Sequence, residues 1–330
     1  PRAEQVERAI RGLPGEASTM VADQLRVSIL RGQQRDEDAI AFLRQLSERD
    51  GGYRAAEVAI VTTQMERGNI EEARNYLDQL LSADPDDPSL RFLKAAIDAA
   101  QGDLSAAEEE YRGLIARDEG GQRVWMELIR LLNRDGRVDE AQRILDAALA
   151  QFPEAPDLLW MKATFLERSN DLEAAIAIYE DIYEADSSTS VIANNLASLL
   201  STARDDQESL ERAATIARRL RGTDFPAYQD TYGWIQFRLG DYEEALEYLR
   251  DAARGLPNDP LVQHHLGMTY DALERYDEAR EQFERALSLA GDDPRPAFQL
   301  ARRKLEELQN RDSQDGSEAD SLDALPSAGG

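Results

Sequence analysis

The sequence predicts an all-α protein built as a solenoid of tandem helix–turn–helix units, and three observations carry this. Alanine recurs every 34 residues, at Ala39, Ala73, Ala107, Ala141 and Ala175, and the interval returns at Ala245 and Ala279. Proline keeps the same beat: Pro226, Pro260 and Pro294 are 34 apart, and Pro88 and Pro156 are 68 apart. A glycine or asparagine stands at one phase of the period, at Gly68, Gly102, Gly136, Asn170 and Gly240. Such a period marks a supersecondary unit that buries its apolar face only by stacking on its neighbours.

Taken in order, residues 3–13 (AEQVERAIRGL) read as the second helix of an earlier unit whose first helix is missing, so 1–19 is a remnant and linker of a longer array. About eight units fill 20–293, starting near 20, 54, 88, 122, 156, 190, 226 and 260. The last shows the pattern best. Leu266, Gly267 and Tyr270 share one face of a first helix, and Ala279, Phe283 and Ala286 mark a second at i, i+4, i+7. Gly and Asn at the midpoint tolerate the left-handed backbone that ends a helix. Asn69, Asp103, Asp171 and Asp241 follow directly and are placed to cap the next one.

From Ala175 to Ala213 is 38 residues and from Ala213 to Ala245 is 32, so one unit carries a small insertion. It is placed at Thr202–Ser209 (TARDDQES), a polar loop. Lys94 and Lys162 stand at a normally apolar phase, which predicts local shift or exposure there. Residues 294–310 form a capping helix, and 311–330 are acidic, rich in small residues and expected to be disordered.

Composition sets further bounds. No apolar run approaches 18 residues, so no membrane span is expected. Residues 1–20 lack the features of a signal peptide and the chain does not begin with Met, so it reads as a mature form or an excised piece. A net charge of −27 argues against nucleic acid as a partner. The absence of cysteine excludes disulfides, thiolate metal sites and cysteine nucleophiles.

No constellation for catalysis emerges. His264 and His265 are the only histidines, and adjacent helical residues point about 100° apart, which does not chelate one metal. The carboxylates recur at phases shared by every unit, whereas a catalytic pair needs one pocket that shifts its pKa values. The glycines obey the repeat phase rather than a phosphate-binding loop. The chain is read as not an enzyme, with no metal and no cofactor.

These residues resemble the tetratricopeptide repeat family. The likeness is strongest in the unit from 226, through Tyr232, Gly233, Ala245, Leu249, Ala252 and Pro257, and in the unit from 260. It is good in the unit from 122, through Trp125, Leu128, Leu132, Ala141, Leu145, Ala148 and Pro153, and weaker at 20, 54 and 88. The resemblance implies a right-handed superhelix and a concave groove lined by the first helices, binding protein or peptide partners. Carried over by phase, the groove takes Phe92, then Arg123, Met126, Arg130 and Arg134, then Trp160, Thr164 and Arg168, then Asn194 and Ser198. It continues through Asp230, Trp234, Phe237 and Arg238, then His264, Met268 and Asp271, and ends at Phe298 and Arg302.

Two features of this set bear on function. Aromatic and Met side chains, the usual anchors of recognition, recur on it, with packing between adjacent helices as the alternative reading. Arg123, Arg130, Arg134 and Arg168 form a basic stripe that suits a partner's carboxylates, unless nearby acids pair with them. The Lys and Asn of the family's chaperone-tail clamp are not reproduced at Met126/Arg130, Trp160/Thr164 and Asn194/Ser198.

NNLASLL at Asn194–Leu200 and DTYGWIQFRLGDYEEALEYL at Asp230–Leu249 are similar to the C-terminal region of bacterial tetratricopeptide proteins of exopolysaccharide and exosortase systems. That resemblance implies a non-catalytic scaffold or adaptor in envelope or secretion assembly, and favours a periplasmic or envelope address. The alternatives are an architectural spacer using convex faces, or the regulatory region of a longer protein.

Overall fold

The computed structural model describes residues 2–12, 16–48 and 54–323, except for the side chains of 2, 16–18 and 312–323. Among the described residues there are eighteen α-helices and no strand. They are α1 (Arg2–Arg11), α2 (Glu16–Gly32), α3 (Asp36–Ser47), α4 (Arg54–Glu66), α5 (Ile70–Ala83), α6 (Pro88–Gln101), α7 (Leu104–Ala116), α8 (Gly121–Arg134) and α9 (Val138–Gln151). There follow α10 (Pro156–Arg168), α11 (Leu172–Ala185), α12 (Ser190–Ala203), α13 (Gln207–Ala217), α14 (Pro226–Leu239), α15 (Tyr242–Gly255), α16 (Pro260–Ala272), α17 (Tyr276–Ala290) and α18 (Pro296–Asp323). Packing divides the chain into two compact units, Pro1–Leu158 and Leu159–Gly330. Each is a stack of helix pairs, and the fold is an all-α solenoid of helical repeats.

The periodic residues explain why. Ala39, Ala73, Ala107, Ala141, Ala175, Ala213, Ala245 and Ala279 are all 0% exposed, so one small side chain recurs at the tightest point of each pair. The partner helix contributes a second small residue where approach is closest. A Cβ added at Gly233 would lie 2.8 Å from Leu249 Cγ, and one at Gly267 would lie 2.8 Å from both Cδ1 and Cε1 of Phe283. Pairing at this distance is possible only because glycine has no side chain there.

Helix ends follow local chemistry. Gly102 and Gly240 terminate α6 and α14 at φ 90° and 88°, while Asn170 and Glu274 hold the same left-handed turn at φ 62° and 58° without being glycine. Pro88, Pro226 and Pro260 open their helices, where a missing N–H costs nothing. Asp103, Asp171 and Asp241 cap as expected, accepting from the backbone N–H of Ala106, Ala174 and Glu244. Asn69 does not cap α5: its Nδ2 donates to Gln64 Oε1 at 2.9 Å, so the amide is spent on the helix behind it.

Four further expectations change. The first pair opens at Glu16 rather than near 20. The insertion is not an eight-residue loop. Helix covers Thr202 and Ala203, and α13 begins at Gln207 under an Asp206 cap that accepts from Ser209 N–H at 2.8 Å. Only Arg204, Asp205 and Asp206 remain between the helices, and a 3-10 turn over Arg218–Leu220 follows α13. Lys94 is neither shifted nor stranded, because its ammonium lies 3.3 Å from Asp98 and 3.0 Å from Glu110, which neutralise it.

The closing helix is longer than composition predicts. α18 runs past 310 to Asp323, replacing the expected disorder over 311–323 with helix. No proline interrupts it before Pro326, and the Arg311 guanidinium lies 4.2 Å above the Tyr276 ring of α17. Residues 324–330 lie outside the described residues.

Candidate protein-interaction surface

In the first unit the proposed groove residues sit on α6 and α8. α8 buries Val124, Leu128, Ile129, Leu131 and Leu132 on one stripe, which leaves Arg123, Arg130 and Arg134 exposed on the other. Each of these arginines is already engaged. Arg123 stacks its guanidinium over Phe92 at 4.4 Å, Arg130 pairs with Glu127 at 2.5 Å, and Arg134 donates to the Ala99 carbonyl at 2.7 Å. Phe92 is only 9% exposed, pressed between Arg123 and Tyr111, whose phenol burial pushes upward. Met126 is half-buried beside them. The basic stripe is therefore not a row of free cations. Arg168 lies exposed in the second unit.

The second unit carries two distinct clusters. On α10 and α12, Trp160 packs on the core formed by Tyr179, Leu196 and their neighbours, and Thr164 Oγ1 donates back to the Trp160 carbonyl at 2.7 Å. Tyr179 donates its hydroxyl to Glu167 Oε1 at 2.6 Å and accepts from Asn195 Nδ2 at 3.1 Å. Burial raises the Glu167 carboxyl above its usual range, although the Tyr179 bond opposes this. Asn194 Nδ2 reaches Asn195 Oδ1 at 3.3 Å, whereas Asn194 Oδ1 and Trp160 Nε1 are buried and unpartnered.

On α14 and α16, Trp234 is clasped between two rings. Phe237 stacks on one side at 4.8 Å and 10°, and His265 on the other at 4.1 Å and 18°. His265 Nδ1 is held by Asp230, 3.0 Å from Oδ1 and 3.2 Å from Oδ2. His264 is 2% exposed, tilted against Trp234 at 6.3 Å and against Phe283 at 6.2 Å. Burial, and then the neighbouring His265, push its imidazole down to about 3, so it is neutral at pH 7. Trp234 Nε1 and His264 Nδ1 are likewise buried without a partner. A buried polar atom left unbonded costs about 1–3 kcal/mol.

The remaining charges on this face are paired. Arg238 donates to the Ser201 carbonyl and contacts Asp205 at 3.3 Å, Asp271 meets Lys304 at 3.0 Å, and Arg302 donates to the Gly291 carbonyl at 2.9 Å. Phe298 is 0% exposed with Arg295 laid over its ring, so it belongs to the interior and leaves the candidate set. α18 packs on both α16 and α17, and helical phase alone does not report that cover. Met268 is half-buried and, with Phe237, packs on the core of Leu266 and Phe283, while Trp160 belongs to the other cluster. The aromatic residues of the groove set thus fall in two sites. Phase reasoning missed His265, whose place in the clasp is signalled only by Asp230 standing 35 residues earlier.

Among the described residues no helix is long and apolar enough to cross a membrane, and no group of three His, Asp or Glu is placed to hold a metal ion. Two family models described as tetratricopeptide repeat match the chain, one over residues 126–189 and 198–260, the other over 30–97 and 236–305. The chain is 27% identical over 136 residues to a tetratricopeptide repeat-containing protein of Pseudomonas aeruginosa, covering 41% of this chain and 23% of that one. It is 29% identical over 127 residues to cellulose synthase operon protein C of Pseudomonas fluorescens, covering 36% of this chain and 10% of the relative. It thus spans less than a quarter of either relative. Among solved structures, the Cut9–Hcn1 hetero-tetramer of the APC/C aligns with a TM-score of 0.58 at 14% identity, over 92% of this chain and 59% of that one.

Proposed function

Because this chain belongs to the tetratricopeptide repeat family, whose members generally mediate protein–protein interaction and are generally not catalysts, we propose that it is a non-catalytic adaptor that binds partner peptides on its first-helix faces. The observation that carries this is the Trp234 clasp. A large aromatic group stands half-buried between Phe237 and His265, on a face whose other charges are paired. Aromatic side chains so placed are the common anchors of interfaces.

The likeness to cellulose synthase operon protein C supports a finer reading, in which the partner belongs to an envelope or secretion assembly and the address is periplasmic or envelope-associated. The paired charges favour an uncharged partner segment over an acidic one. A random peptide library displayed against the immobilised full chain tests the adaptor reading. Peptides selected by the wild type should bind Trp234→Ala/Phe237→Ala weakly. Equal recovery on both would move the binding face to the convex side.

A further inference from the structure

Four side-chain atoms of the second unit are buried without a hydrogen-bond partner and lie on successive first helices: Trp160 Nε1 on α10, Asn194 Oδ1 on α12, Trp234 Nε1 on α14 and His264 Nδ1 on α16. Buried polar groups are nearly always paired, so each orphan needs an explanation. By type they are two donors and two acceptors. The indole N–H is donor only, Asn Oδ1 is acceptor only, and a neutral imidazole with its proton on Nε2 has Nδ1 as a bare acceptor. The Trp234 and His264 rings are neighbours, 6.3 Å apart between centroids and tilted by 49°, yet they do not bond each other.

A single residue of an extended chain presents its C=O and its N–H along the same edge, as it does when exchanging both bonds with a residue of a neighbouring strand. That is the complement of one donor beside one acceptor. We infer that the second unit reads the main chain of an extended peptide, one residue of which accepts from Trp234 Nε1 and donates to His264 Nδ1, with Trp160 and Asn194 offering the same two complements on the earlier helices. This rests on the adaptor reading and names what that surface recognises: backbone amides of an uncharged segment, rather than a carboxylate or a particular side chain.

Charge on this face agrees with that choice. Asp230 is taken by His265, Asp271 by Lys304 and Arg238 by Asp205, and the His264 imidazole is neutral, so no free ion remains among them for a charged side chain to meet. Neither orphan of the Trp234–His264 pair reaches solvent, so the seat is closed in the free protein. Trp234 must turn out of its clasp for its N–H edge to meet a peptide, and the bonds gained there replace the stacking lost.

The test uses a peptide selected from a random 12-residue display library on the full chain, resynthesised with each backbone amide in turn replaced by an ester. An ester keeps the shape and removes one N–H. One ester should weaken binding to the wild type about five- to tenfold, the value of a single hydrogen bond. The same ester should cost nothing further against His264→Phe, which keeps the ring and removes the acceptor. Trp234→Phe should weaken the unmodified peptide by a similar factor, and circular dichroism of both variants checks that they fold. If every ester is tolerated, or if the ester effect persists in His264→Phe, main-chain reading is wrong while the groove stands. A loss only on replacing a peptide Asn or Gln would assign the amide to a side chain and overturn the inference. If no selected peptide depends on Trp234 at all, the adaptor reading fails with it.

Discussion

Asp230 and His265 stand 35 residues apart in sequence, and the carboxylate of one reaches Nδ1 of the other at 3.0 Å, tying α14 to α16 one repeat further on. The bond fixes the His265 ring as a flat wall against Trp234, 4.1 Å away. Asp230→Ala frees that ring, so Trp234 should gain mobility, read as a change in its fluorescence anisotropy and emission. Unchanged emission from Asp230→Ala would show that stacking alone holds the clasp.

Gly267 tests the close approach of paired helices. Alanine there would bring its Cβ within 2.8 Å of the Phe283 ring, which is itself fully buried and without room to yield. Gly267→Ala should destabilise by about 1–3 kcal/mol, the range for overpacking a dense core. Gly113 in α7 is the control. Its added Cβ would meet only the ends of Arg117 and Arg91, at 3.6 and 4.0 Å. Gly113→Ala should therefore stabilise by roughly 0.5–1 kcal/mol through helix propensity. Equal melting temperatures for the two variants would refute the packing account.

Glu274 occupies a turn that four other units give to glycine, with φ at 58°. An L-residue pays about 1–2 kcal/mol to stand there. The side chain is exposed, so Glu274→Gly should raise the urea midpoint, by the equivalent of about 1 kcal/mol. A lowered midpoint would mean that the Glu274 side chain contributes a contact outweighing the backbone strain.

His264 links stability to pH. Its folded imidazole is pushed down to about 3, against about 6.5 in an unfolded chain. Between those values the unfolded state binds a proton that the folded state does not, so stability falls as pH drops below 6.5. At pH 5 the loss is about 2 kcal/mol, measurable as a shift in urea midpoint between pH 7 and pH 5. His264→Phe should abolish most of that shift. An unaltered shift would place the titration elsewhere.

Much of the fold was legible because it rests on residues of one size at one phase. Ala39 through Ala279 mark the tightest contacts, and Gly102 and Gly240 the left-handed turns, and both needs are local enough to appear as repetition. The candidate surface was legible only as a set of phases. Phase assigns Phe298 to the groove, but α18 packs on two helices and the ring is fully buried. Phase likewise lines up four arginines, but not their neighbours. Arg130 meets Glu127 within one helix, and Arg134 reaches a carbonyl 35 residues away. Pairing depends on rotamers and on depth, neither of which periodicity encodes. The same limit hid the insertion: Asp206 caps a helix that composition reads as loop.

The most direct test of the adaptor account is the dissociation constant of a library-selected peptide for the wild type and for Trp234→Ala/Phe237→Ala, at a temperature where circular dichroism shows equal helix content. Loss of an interface anchor costs about 2 kcal/mol or more, so the account predicts binding at least roughly thirtyfold weaker in the variant. Equal dissociation constants from two equally folded proteins would contradict it, and would assign partner binding to the second-helix faces instead.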